Sequence, residues 1–97
     1  MGARITLNVE VVRSGNIRTV LIRIDNKDIP LRRGQGQFEA TEGVEYPFFW
    51  QIDGSRGSSI ALTISDEDGN VKKELDDAYT AIRGRLGMNA GSNAFVA

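Results

Sequence analysis

Apolar and polar residues alternate with period two over most of the chain. Ile5, Leu7, Val9 and Val11 interleave with Thr6, Asn8, Glu10 and Val12. Successive strand side chains point to opposite faces, so this run predicts a strand with one buried face. Val20, Ile22 and Ile24 resume the pattern beyond Ser14-Gly15-Asn16-Ile17. Gly-Asn suits a two-residue hairpin turn whose first central residue needs positive φ. Centring the turn there sets Val11 against Val20, Val9 against Ile22 and Leu7 against Ile24. Apolar meets apolar three times, and a one-residue slip would turn the wrong face inward. The expectation is a β-hairpin.

Asp25-Asn26-Lys27-Asp28 predicts a second turn, and Ile29-Pro30-Leu31 a short edge segment, because proline cannot donate to a ladder. Arg32-Arg33-Gly34-Gln35-Gly36-Gln37 is expected to be a flexible loop. Alternation returns at Phe38 and Ala40, breaks at Thr41-Glu42-Gly43, and continues through Val44, Tyr46, Phe48, Trp50 and Ile52. The stretch Tyr46–Trp50 holds four aromatic rings in five positions. Parity sends Tyr46, Phe48 and Trp50 inward and leaves Phe49 on the other face, with Glu45, Pro47, Gln51 and Asp53. Ile60, Leu62 and Ile64 offer a matching apolar face, and Asp68-Gly69 a turn into a strand holding Val71 and Leu75.

Leu75, Tyr79, Ile82 and Leu86 fall at helical spacing, with Asp76 or Asp77 as N-cap and Gly87 as terminator. They predict a short helix near 76–86. The segment 87–93 is expected as loop and Ala94–Val96 as a short closing strand. Many short strands punctuated by turn residues make the fold class all-β, a mainly antiparallel β-sandwich or small barrel. The chain is expected to be a single domain over 1–97, with Trp50 mid-strand as in an immunoglobulin-like core, by analogy.

Composition then narrows the chemistry. The 97 residues contain no cysteine and no histidine. This removes disulfides, thiolate ligands and the commonest general base. Serines 55, 58 and 59 have no histidine to activate them, and Lys27, Lys72 and Lys73 sit among acids, so the expectation is a non-enzymatic protein without cofactors. The N-terminal stretch lacks the apolar core of a signal peptide, which predicts a soluble, cytoplasmic protein, and no apolar run reaches membrane-spanning length. Met1-Gly2-Ala3-Arg4-Ile5-Thr6 fits the loose myristoylation pattern, a match short enough to arise by accident. Net charge is −1, yet residues 1–33 hold seven basic against three acidic residues and residues 34–77 three against ten. Cross-strand ion pairs would reconcile the two halves; so would attraction between neighbouring copies.

Five constellations are weighed as candidates for function. Outward Val12, Leu21 and Phe49 offer apolar contact points on strands whose edges are only partly blunted, which predicts association with a protein partner or with itself as a homo-oligomer. Phe49 with Gln51, Asp53 and the Asp66–Asn70 turn could instead form the aromatic plate and polar flank of a carbohydrate site. Gly54-Ser55-Arg56-Gly57-Ser58-Ser59 could cradle an anion beside Arg56. Arg32 and Arg33, with Arg13, Arg18 and Arg23, raise weak nucleic-acid association, disfavoured by negative net charge and a single exposed ring. Asp66 and Asp68 form a weak Ca²⁺ candidate. With Gly69 at the sixth position of an EF-hand loop they occupy the third and fifth, but Ile64 and Leu75 fill the first and twelfth, so no metal site is expected.

Overall fold

The computed structural model describes residues 2–97. Eight strands and one helical turn follow in the order β1 (Arg4–Ser14), β2 (Ile17–Ile24), β3 (Lys27–Asp28), β4 (Gln35–Thr41), β5 (Glu45–Gly54), β6 (Ser59–Asp66), β7 (Val71–Leu75), α1 (Asp77–Thr80) and β8 (Met88–Val96). All pairings are antiparallel, and the strands form two four-stranded sheets, ordered β4-β1-β6-β7 and β3-β2-β5-β8. The fold is an all-β sandwich. Its inner faces meet in one core that includes Leu7, Val9, Ile22, Ile24, Trp50, Ile52, Ile60, Leu62 and Ile64. Parity was a sound guide here: Phe48 and Trp50 are buried, Phe49 only half-buried.

The expected β1–β2 hairpin is absent. β1 lies in the first sheet between β4 and β6, and β2 in the second between β3 and β5. Ile22 pairs with Trp50 and Val9 with Ile64 and Gly36. Two strands with apolar faces satisfy an apolar-on-apolar test equally well side by side or stacked across a sandwich, so the test could not separate the two. Gly15 does take positive φ, 81°, but it turns the chain from one sheet to the other. An immunoglobulin domain keeps its first two strands in one sheet; the likeness here stops at two packed sheets around a tryptophan.

The actual plan is one long ladder bent double. β1 pairs with β6 down to Ser14 against Ser59, and β2 pairs with β5 from Ile17 against Gly54. Gly15 and Asn16 on one arm therefore face residues 55–58 on the other, and the two crossings are tied together. Asn16 N–H donates to Ser58 Oγ at 2.8 Å, and Ser55 N–H to the Asn16 carbonyl at 2.9 Å. A Cβ on Gly15 would stand 2.6 Å from Ser58 Oγ. The corner needs glycine for space as well as for φ.

Three further expectations change. Residues 32–37 are a tight turn and the start of β4. Arg32 and Gln35 exchange backbone hydrogen bonds across Arg33 and Gly34, whose φ angles are 55° and 78°, the positive pair of a type I′ turn. Asp25 and Asn26 likewise have φ of 52° and 62° and join β2 to β3. The helix is one turn, capped by Asp76 accepting from Tyr79 N–H; Leu86 is 86% exposed and Tyr79 55%, so the helical stripe does not exist in space. Finally, Met88–Val96 is a nine-residue strand. It is built of residues with little β-propensity, and its place is set by packing. Gly91 lies over Trp50, where a Cβ would come within 2.8 Å of the indole nitrogen.

Candidate functional site

The sandwich has two outer faces, and they differ. On the β4-β1-β6 face stand Asn8, Glu10, Gln35, Gln37, Thr63 and Ser65, flanked by Arg32 and Arg33, around a broad open groove of about 1520 Å³. Gln37 donates to Asn8 at 3.4 Å and Thr6 to Glu39 at 2.8 Å. Polar side chains predominate in the groove, with Val9, Pro30 and Gly36 also lining it. Val12, 56% exposed, is an apolar residue farther along the same strand.

On the β2-β5-β8 face the register puts Leu21 beside Gln51 and Ala90, Arg23 beside Phe49 and Ser92, and Asp53 beside Met88. Pro47 and Ala94 form the next row. Phe49, Gln51 and Asp53 share this face because they are alternate residues of one strand. Of the expected contact residues, Leu21, Phe49, Gln51 and Asp53 are brought together. Asp53 is held by an ion pair with Arg18, and Arg23 donates to Asp28 at 2.8 Å; Phe49, Leu21, Pro47, Ala90 and Ala94 form a small apolar field interleaved with Gln51 and Ser92 and bordered by those charges. Sequence reasoning missed the first six residues of β8, 88–93, for which no alternation of large apolar residues gave notice.

Other groupings do not assemble. The Asp66–Asn70 turn closes the β6–β7 hairpin in the opposite sheet from Phe49, so the carbohydrate set is split between sheets. Asp66 also spends its carboxylate inside its own turn. Oδ1 accepts from the N–H groups of Asp68 and Asn70 and Oδ2 from Asn70 Nδ2, all at 2.9 Å. The Asn70 side-chain and backbone bonds, helped by Lys72, hold its pKa below the ordinary carboxylate value. Among the described residues no group of three or more His, Cys, Asp or Glu is placed to hold a metal ion. Around Arg56, the N–H groups of Gly54, Ser55, Gly57 and Ser58 donate to the carbonyls of Gly87, Asn16, Ile82 and Ser55; four donors of the proposed anion cradle are occupied.

The arginines are dispersed. Arg13 reaches the Ile17 carbonyl at 3.4 Å, Arg18 and Arg23 are in ion pairs, and only Arg32 and Arg33 stand together at the polar groove. Basic head and acidic middle meet in the Arg4–Glu39 and Arg18–Asp53 pairs. Such exposed pairs are worth about 0–1 kcal/mol each. Met1, which begins the myristoylation pattern, lies outside the described residues. Among the described residues no helix is long and apolar enough to cross a membrane. Comparison with protein-family models, curated proteins and solved structures returned no match to the chain.

Proposed function

We propose that this chain is a non-catalytic association module whose contact surface is the outer face of the β3-β2-β5-β8 sheet. The observation that supports it is the asymmetry of the two faces. Phe49 stands half-exposed on one, with Leu21, Pro47, Ala90 and Ala94 in the neighbouring rows, whereas amide, hydroxyl and charged side chains predominate around the groove on the other, beside Val9, Pro30 and Gly36. An apolar centre with a charged rim is the anatomy of a protein contact, and an aromatic residue at its middle is the usual energetic anchor.

The test compares the wild type with Phe49→Ser by light scattering over a wide concentration range and by cross-linked affinity capture. Self-association or capture of a defined protein should weaken by about tenfold or more in the variant, the loss expected of an anchor residue. A wild type that stays monomeric and captures nothing that Phe49→Ser fails to capture overturns the reading.

A further inference from the structure

β8 is the outermost strand of its sheet, and three hydrogen bonds fix which way its backbone points. Gly54 N–H donates to Gly87 at 2.8 Å and Ala97 N–H to Val44 at 2.9 Å, while Pro47 accepts from Asp25 on the opposite side of β5. Even residues of β5 therefore bond to odd residues of β8, under a register that pairs Trp50 with Gly91. Met88, Ala90, Ser92, Ala94 and Val96 turn their N–H and C=O groups away from the sheet. Ala90 and Ala94 N–H each rest on the amide oxygen of the preceding Asn89 or Asn93 at 2.9 Å. Those are local contacts that a strand-to-strand bond can replace.

The other edges are guarded. β7 carries Lys72, Lys73 and Glu74; β3 has two residues and Pro30 follows close behind. β4 contains Glu39 and engages the N–H groups of Gln35 and Thr41 with the Arg32 carbonyl and the Tyr46 hydroxyl. Charges, prolines and short length are the ordinary defences of an edge strand. β8 has none of them over nine residues.

Resting on the association reading above, we propose that β8 pairs antiparallel with β8 of a second copy, about a two-fold axis through Ser92, joining two four-stranded sheets into one of eight strands. The partner follows from symmetry and charge. A two-fold sets each strand against its own reverse, so any charge on the edge faces its own kind. MNAGSNAFV contains no charge. Reversed about Ser92, it sets Ser92 against Ser92, Ala90 against Ala94 and Met88 against Val96, small on small and apolar on apolar. The five outward residues are symmetric about position 92, so all their N–H and C=O groups come into phase in this one register. Ser92 neighbours Phe49, and the pairing runs the apolar field of one copy into that of the other.

The chain has no native cysteine, so single cysteines report the register directly. In a hydrogen-bonded antiparallel pair the Cα atoms stand about 5.5 Å apart, inside the range a disulfide bridges. Mild oxidation of Ser92→Cys should give a covalent dimer. Ala90→Cys or Ala94→Cys alone should give at least about fivefold less, while an equimolar mixture of those two should cross-link well. Ser92→Pro should be monomeric by light scattering with an unchanged circular dichroism spectrum, because the N–H it removes is not used by β5. Equal or negligible cross-linking at all three positions overturns the β8 pairing, as does a folded Ser92→Pro that still dimerises. If Phe49→Ser abolishes association while the cysteine pattern fails, the edge proposal falls and the association reading stands. A wild type that neither self-associates nor captures a partner removes both.

Discussion

The two sheets share a core but treat their margins in opposite ways. The β4-β1-β6-β7 sheet ends in lysines on β7 and is continued past it by a side chain. The hydroxyl of buried Thr80 accepts from Ile60 N–H at 2.9 Å and donates to the Ile60 carbonyl at 2.6 Å. α1 thus substitutes for a strand where β7, last paired at Leu75 with Leu62, has stopped. The β3-β2-β5-β8 sheet ends in a full-length strand with no charge. One margin is closed by chemistry internal to the fold; the other is left in a state suited to pairing.

The contrast can be broken from either side. Thr80→Val removes the hydroxyl and strands a buried donor and acceptor of Ile60, so unfolding free energy in denaturant titrations should fall by about 2–4 kcal/mol, with Thr80→Ser recovering most of it. Gly91→Ala acts on the opposite margin. Its methyl would press on Trp50, and stability should drop by about 1–3 kcal/mol. Loss of hydrogen-exchange protection should concentrate in β8 and spare β1 and β6. Protection lost evenly in both sheets would show that the margins are not independent.

The smallest effect concerns the turn into β7. Asp66 has its folded pKa lowered by Asn70, so its contribution to stability is present above the ordinary carboxylate range and fades as pH falls through the lowered value. Asp66→Ala should melt below the wild type at neutral pH, with the gap narrowing as the pH drops below about 4. A gap that is constant with pH would mean that the carboxylate charge contributes nothing there.

Strand faces were legible in the sequence wherever large apolar residues alternate: Leu7 to Val11, Phe48 to Ile52 and Ile60 to Ile64 all bury the expected side. Parity likewise set Phe49 apart from its neighbouring rings. Partnership was not legible, because alternation says which face is apolar and nothing of whether two such faces lie edge to edge or stacked. β8 was hidden for a different reason. Gly91 is required by the bulk of Trp50, a demand made by tertiary packing that no local propensity carries. The candidate site was accordingly half visible: the β2 and β5 residues are named by parity, whereas of the strand that completes the face only Ala94–Val96 is expected as strand.

The bent ladder has a kinetic consequence. Its two arms, residues 7–24 and 48–66, cannot meet until the chain between them has been gathered in, and the β1–β6 and β2–β5 pairings both lie beyond that closure. Such non-local topologies fold on the order of milliseconds to seconds. During that interval β8 awaits its place beside β5, and if it pairs with copies of itself as proposed, refolding yield should depend on protein concentration.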